Sequence, residues 1–338
     1  MNASARRIHR DFRMASEPIP APLVAFAGER PPAPAWFTDA LAVAPERTTH
    51  QGAGVTIETL AWGERGKPGL LLLHGGSAHA DWWSHLAPFF AATHRVVATS
   101  WSGMGGTDWR PAYSMDDLMG EMLATLEATG LEEGPVKPIV ASHSFGSFPG
   151  MAFAAVHGER IGGLITIDSP LLSKEMRAKR DFGRPPSREP RDTLVYDSFE
   201  QALARFRLMP AQTAENLYIV DNIARHSLRE VKRPDGSSGW TWRFDPFMWS
   251  RMTRRDPAED LAAAKCRLAI TWGSRSVLFP DEIKTYVRQQ APAGTLFVEI
   301  PEAQHHVLID QPLALVTTMR AVISAWDAND KEIGRAHV

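Results

Sequence analysis

Ser144 lies in the stretch Ser142-His143-Ser144-Phe145-Gly146, with a small residue two positions to either side. A serine held in a sharp turn between a strand and a helix projects its hydroxyl above the sheet. Bulky residues at those two flanking positions would collide. Lys137 to Ala141 reads as a short apolar strand, and the small and apolar residues from Ser147 to Val156 suit a buried helix. The same pentapeptide occurs as a plain serine N-cap, so the strand–turn–helix context is what singles it out. The chemistry it supports is nucleophilic attack on a carbonyl carbon.

Such an attack places negative charge on an oxygen, which needs fixed donors. His74-Gly75-Gly76 follows the run Leu70-Leu71-Leu72-Leu73 about 70 residues upstream of the serine. The backbone N–H of Phe145 and that of Gly76, with Ser77 as the alternative, are the expected oxyanion donors. Glycine lets a substrate oxygen approach the backbone. The attack also needs a base. His305 and His306 lie in Ala303-Gln304-His305-His306-Val307-Leu308-Ile309-Asp310-Gln311-Pro312, between the last expected strand and the last expected helix. A histidine there hangs over the carboxyl edge of a parallel sheet, where ligands bind.

These loops need a scaffold. Val55 to Leu60 alternates as a half-buried strand. Leu70–Leu73 reads as a strand buried on both faces, and Arg95–Thr99, Leu164–Ile167, Arg267–Trp272 and Thr295–Ile300 as further strands. Helices are expected over roughly 81–92, 115–129, 281–290 and 313–326, with Asp116 and Asp117 well placed at the start of the second. Alternating strands and helices with buried strands imply α/β architecture with a doubly wound, mostly parallel sheet.

Together these motifs resemble the α/β-hydrolase superfamily, over roughly residues 50–330. The resemblance implies a Ser…acid…His triad and an inserted lid. In that family the catalytic histidine precedes the final-helix proline by seven positions, which selects His305 against Pro312 and leaves His306 as a pocket-lining or supporting residue. Ser102-Gly103-Met104-Gly105-Gly106-Thr107 matches the family's pocket-shaping Gly-x-Gly loop, with Ser100 where an aspartate usually starts it. The acid departs from the pattern. The family's Gly-x-x-Asp-x-x-x-Pro reads here Gly273-Ser274-Arg275-Ser276-Val277-Leu278-Phe279-Pro280, with Ser276 at the acid position. Some members carry the acid one strand earlier, and Asp168 ends that strand. Asp281, a Ser–His dyad or an acid from the lid remain alternatives. A serine at the elbow argues, by the same resemblance, against epoxide hydrolases and haloalkane dehalogenases, which use a carboxylate there.

The expected catalytic residues are thus Ser144, His305 and Asp168, with Gly76 and Phe145 as oxyanion donors and Ser77, Trp101 and His306 at the substrate. The expected reaction is hydrolysis of a carboxylic ester of a small hydrophobic or aromatic substrate through an acyl-enzyme. Hydrolysis of a C–C bond, lactone or amide is the alternative, and a receptor with little turnover the one of another class. The expected organisation is a Pro/Arg-rich arm over 1–35, core over 36–169, a mainly helical lid over 170–255 and core over 256–330. The lid carries 17 Lys and Arg against 11 Asp and Glu, a surplus that could steer an anionic substrate such as a half-ester of a diacid. Tryptophans 82, 83, 101 and 109 follow loops near the expected site.

The 338 residues are 44% hydrophobic and 22% charged with net charge −2, a globular balance with no general case for nucleic acid. There is no apolar run long enough for a membrane span. The arginines at 6, 7, 10 and 13 are not followed by a signal-peptide core. One cysteine, Cys266, fits a reducing compartment, hence the cytoplasm. No dinucleotide or Walker loop and no zinc-ligand spacing of histidines is present, so no cofactor or metal is expected.

Overall fold

A computed structural model describes residues 21–179 and 191–336. Eight strands form one sheet: β1 (Glu46–Gly52), β2 (Val55–Trp62), β3 (Gly69–Leu73), β4 (Arg95–Thr99), β5 (Ile139–His143), β6 (Gly163–Ile167), β7 (Arg267–Gly273) and β8 (Leu296–Ile300). Their order is β1-β2-β4-β3-β5-β6-β7-β8. Only the β1–β2 and β2–β4 pairs are antiparallel; the rest of the sheet is parallel.

The period of two in a strand decides the layers. Leu70 and Leu72 pack into one core cluster, Leu71 and Leu73 into the other. Three helices cover the second face: α1 (Met115–Ala128), α2 (Ser147–His157) and α4 (Asp281–Gln290), through Leu118, Met122, Met151, Ile283 and Val287. The first face is covered by α5 (Pro312–Ala336) and by α3 (Leu217–His226) from the segment between β6 and β7. Ser114 caps α1 by accepting the Asp117 N–H at 3.1 Å. Register carries the strand ends to one edge: Leu73 pairs with Ser142, His143 with Ile167, and Ile167 with Thr271. The loops beginning at His74, Ser144, Asp168 and Ser274 therefore leave the sheet side by side.

Several expectations change. The helix expected over 81–92 is two short pieces, Ala80–Trp83 and Pro88–Ala91, because a proline at 88 cannot donate to a continuous helix. Strand β1 has no counterpart in the expectations. It is polar and mostly exposed, and it closes on β2 through Ala53-Gly54 with φ of 49° and 78°, a primed hairpin turn. The segment between β6 and β7 is mixed rather than mainly helical: besides α3 it holds an antiparallel hairpin, Leu228–Lys232 with Ser238–Trp242. The alternation in Ser-Gly-Trp-Thr-Trp and the turn at Gly236 (φ 85°) favour strands there. Proline content pointed to an extended arm before residue 35. Instead Leu23 is buried in the core cluster, Val24–Phe26 forms a 3₁₀ turn, and Arg225 donates to the Gly28 carbonyl at 2.6 Å. Burial there removes the apolar Leu23 side chain from water. Residues 1–20 of the expected arm and 180–190 of the expected lid lie outside the described residues. No helix among the described residues is long and apolar enough to cross a membrane.

Candidate active site

Ser144 directly follows β5 and has φ of 52°. A non-glycine residue in the left-handed region costs about 1–3 kcal/mol and persists only where its surroundings impose it. Those surroundings are visible. A Cβ on Gly146 would run into the His74 carbonyl. Ser142 is buried, and its hydroxyl meets the Ser147 hydroxyl at 2.9 Å, which is how a serine is accommodated at that small-residue position. Ser169 donates to the Ser144 carbonyl at 2.9 Å and holds the turn from the next loop.

Gly75 and Gly76 pass beside this turn. A Cβ on Gly75 would lie 3.1 Å from His143 Nδ1 and 3.2 Å from Ser144 Cβ, and one on Gly76 would lie 2.9 Å from the Trp249 ring. The Gly76 N–H has no acceptor among the described residues. The Phe145 N–H lies in the first turn of the helical segment entering α2, where N–H groups lack an intrahelical acceptor. Beneath the loop, the Trp101 N–H donates to His74 Nε2 at 3.1 Å and the Trp101 indole donates to the His74 carbonyl at 3.1 Å. Burial pushes His74 down to about 3, so the ring is neutral, with its Nδ1–H donating to the Gly75 carbonyl at 2.7 Å.

His305 Nδ1 donates to Asp168 Oδ1 at 2.8 Å, with both side chains almost fully buried. The Asp168 carboxylate also accepts the Gly273 N–H at 2.9 Å and the Ser276 hydroxyl at 2.7 Å. Ser276, where the resemblance calls for the acid, thus hydrogen-bonds to a carboxylate supplied by the neighbouring strand. Asp168 itself has φ of 49°. Asp281 is exposed on the first turn of α4, 3.7 Å from Lys284, and is neither the N-cap, which is Pro280, nor a partner of His305.

Ser144, Phe145, Gly76, Ser77 and His305 all line one cavity of about 770 Å³, with Phe148, Leu172 and Trp249 on its walls. The other two expected substrate contacts are elsewhere. Trp101 is fully buried under the His74 loop, and His306 sits behind His305, its ring 5.4 Å from Trp82. Neither lines this cavity.

Three further contributors had no local sequence signal. His143 Nε2 donates to the His305 carbonyl at 3.0 Å, so the residue before the serine holds the histidine loop. Gln212 accepts the His306 N–H at 3.0 Å, and Asn216 donates to the Ile309 carbonyl at 2.8 Å, both from the segment between β6 and β7. Burial, and then the nearby His305 charge, push His143 down to about 3. Burial, then His305 and His143, hold His306 well below the ordinary range, against the opposing Pro210 and Met209 carbonyls. Burial pushes Asp310 up to about 6 against the Gln304 N–H and Gln212 that favour its charge.

The sequence model of the alpha/beta hydrolase family matches residues 70–318. The chain belongs to the alpha/beta hydrolase family. Among curated relatives of this alpha/beta hydrolase, mouse epoxide hydrolase 4 is 31% identical over 121 residues, covering 35% of the chain and 33% of that protein. The match thus spans about a third of that relative's length. The pimeloyl-[acyl-carrier protein] methyl ester esterase of Edwardsiella ictaluri is 28% identical over 258 residues, covering 73% of the chain and 90% of the esterase. Among solved structures, the thioesterase domain from the curacin biosynthetic pathway superposes with a TM-score of 0.64 at 20% identity, covering 81% of this chain and 98% of that one. E-2-(acetamidomethylene)succinate hydrolase gives 0.65 at 17% identity, covering 82% and 100%. At such identities these two show the fold alone.

Proposed function

We propose that this chain is a serine hydrolase that cleaves a carboxylic ester through an acyl-enzyme on Ser144. The observation that carries the proposal is the buried Asp168–His305 hydrogen bond on the same cavity as a serine held at positive φ. The Ser144 hydroxyl attacks the ester carbonyl while His305 Nε2 takes its proton, and the imidazolium that forms is offset by Asp168. The tetrahedral oxyanion accepts from the Gly76 and Phe145 N–H groups, each such donor being worth about 2.7–4 kcal/mol of barrier. His305 then returns the proton to the leaving alcohol. A water, deprotonated by His305, attacks the acyl carbon and Ser144 recovers its hydrogen. No step requires a cofactor. The segment between β6 and β7 acts as a lid, its Trp249 lining the cavity against Gly76.

The long match to an esterase supports ester cleavage. The shorter match to epoxide hydrolases leaves open a different electrophile, but a serine hydroxyl stands at this elbow where, by the family resemblance, those enzymes carry a carboxylate. A second cavity of about 250 Å³ shares Gly76, Ser77 and Met209 with the first and carries Arg205, Arg207 and Arg243. Arg207 donates to the Ala204 and Phe206 carbonyls and has no carboxylate partner among the described residues. A substrate with its own carboxylate, such as a diacid half-ester, fits that cavity.

The test is a panel of neutral esters, diacid half-esters, thioesters and epoxides, run on wild type and Ser144→Ala. Ester turnover that falls by roughly 10⁴-fold or more in Ser144→Ala is expected. Turnover of epoxides alone, or undiminished esterase activity in the variant, would refute the mechanism. A half-ester preference that survives high salt unchanged in Arg207→Ala would refute the anionic reading.

A further inference from the structure

His143, His305 and His306 are separated in sequence but converge in space. One ring nitrogen from each lies within 4.8 Å of the other two, and the residues are only 1%, 2% and 3% exposed. We propose that these three histidines form a binding site for a divalent transition-metal ion of the zinc class, and that occupancy silences the hydrolase. The binding half stands on this geometry alone; the silencing half rests on the proposed role of His305.

Each of the three rings has a nitrogen left over for a metal. The His306 ring makes no hydrogen bond of full geometry at either nitrogen, although the Met209 and Pro210 carbonyls lie near it, and His143 has none at Nδ1. Buried polar atoms left unsatisfied are uncommon and point to an absent partner. In metal sites, a ligating histidine usually fixes its other nitrogen on a carboxylate or a backbone carbonyl. Two of the three already do so: His305 through Nδ1 on Asp168 at 2.8 Å, and His143 through Nε2 on the His305 carbonyl at 3.0 Å. The lone pairs left over are His305 Nε2, His143 Nδ1 and one nitrogen of His306.

Three imidazoles and a fourth, exogenous ligand suit tetrahedral zinc, and cobalt(II) as its spectroscopic substitute. Metal–nitrogen bonds of about 2.0–2.1 Å require ligand nitrogens roughly 3.3 Å apart. The rings must therefore draw together from the present spacing. A metal held there takes the Nε2 lone pair that would otherwise accept the serine proton. Ester hydrolysis stops without any change to the nucleophile.

The experiment uses the full chain without a purification tag. Cobalt(II) is titrated by visible absorption and zinc by calorimetry, on wild type, Ser144→Ala, His306→Gln, His143→Gln and Asp168→Asn, each checked for folding by thermal melting. One ion per chain with a tetrahedral cobalt spectrum is expected for wild type and Ser144→Ala. Affinity should drop at least about tenfold in His306→Gln and by about 10–100-fold in Asp168→Asn. Zinc should also abolish ester turnover at the concentration that fills the site, with recovery on adding a chelator. Absence of binding to folded wild type, or binding that His306→Gln and His143→Gln leave unchanged, would overturn the site. Binding without loss of turnover would overturn the silencing. Ser144→Ala separates the two readings, because it retains the metal ligands whether or not Ser144 is the nucleophile. If His143→Gln does not fold, His306→Gln and Asp168→Asn still decide.

Discussion

The loops after β6 and β7 leave adjacent parallel strands, and each supplies one residue to the same point. From the first comes Asp168, whose carboxylate meets His305; from the second comes Ser276, which donates to that carboxylate at 2.7 Å. By family resemblance the charge belongs on the second loop. Here it sits on the first, and the second carries a hydroxyl that donates to it. A histidine needs a carboxylate at a position in space, not on a particular strand. Register-matched neighbours such as Ile167 and Thr271 bring both loops to the same edge.

Substitutions at Asp168 and Ser276 test which loop must carry the charge. The largest effect belongs to Asp168→Asn, which keeps the shape but removes the charge. Under the proposed mechanism kcat falls by about 10⁴-fold, measured with the best ester from the panel; a near-wild-type rate would shift the acid elsewhere. Next, Ser276→Asp in the Asp168→Asn background returns a carboxylate to the second loop. Recovery of at least about tenfold over Asp168→Asn is expected, and none would mean that only the first loop can reach His305. Ser276→Ala alone removes one charge-assisted hydrogen bond, worth about 1.5–3 kcal/mol. It should slow kcat by about tenfold and leave KM nearly unchanged. The smallest effect is on stability. Asp310, on the histidine loop, is pushed up to about 6, above its unfolded value of about 4. Its protonated form therefore favours the fold, and that contribution is lost as pH rises through 6. Melting temperature should decline between pH 4 and 7 more steeply in wild type than in Asp310→Asn; parallel curves would contradict the assignment.

How far the sequence foretold this arrangement follows from where the signals are local. The buried runs at Leu70–Leu73 and Leu164–Ile167 fall in the sheet as expected, because a strand covered on both faces must be apolar throughout. The elbow was readable because Gly146 has no room for a Cβ beside the His74 carbonyl. His305 was readable from its distance to Pro312, and it is the histidine bonded to Asp168. Strand β1 escaped notice because its residues are mostly exposed and polar, so no hydrophobic period marks it. The hairpin at 228–242 was masked by a segment rich in charge. Gln212, Ser169 and Ser276 act through contacts with residues far along the chain, and no spacing rule reports those. The histidine trio is of the same kind: His143 and His305 are 162 positions apart and meet only because β5 and the last loop share an edge.

The central claim is that Ser144 is a nucleophile activated through His305 by Asp168. Its most direct measurement is the rate of labelling by a fluorophosphonate, read by intact mass and peptide mapping, in wild type, Ser144→Ala and Asp168→Asn. A single adduct on Ser144 in wild type, none in Ser144→Ala, and labelling slowed by orders of magnitude in Asp168→Asn are expected. An adduct on another residue, no adduct on folded wild type, or equal rates in wild type and Asp168→Asn would contradict it.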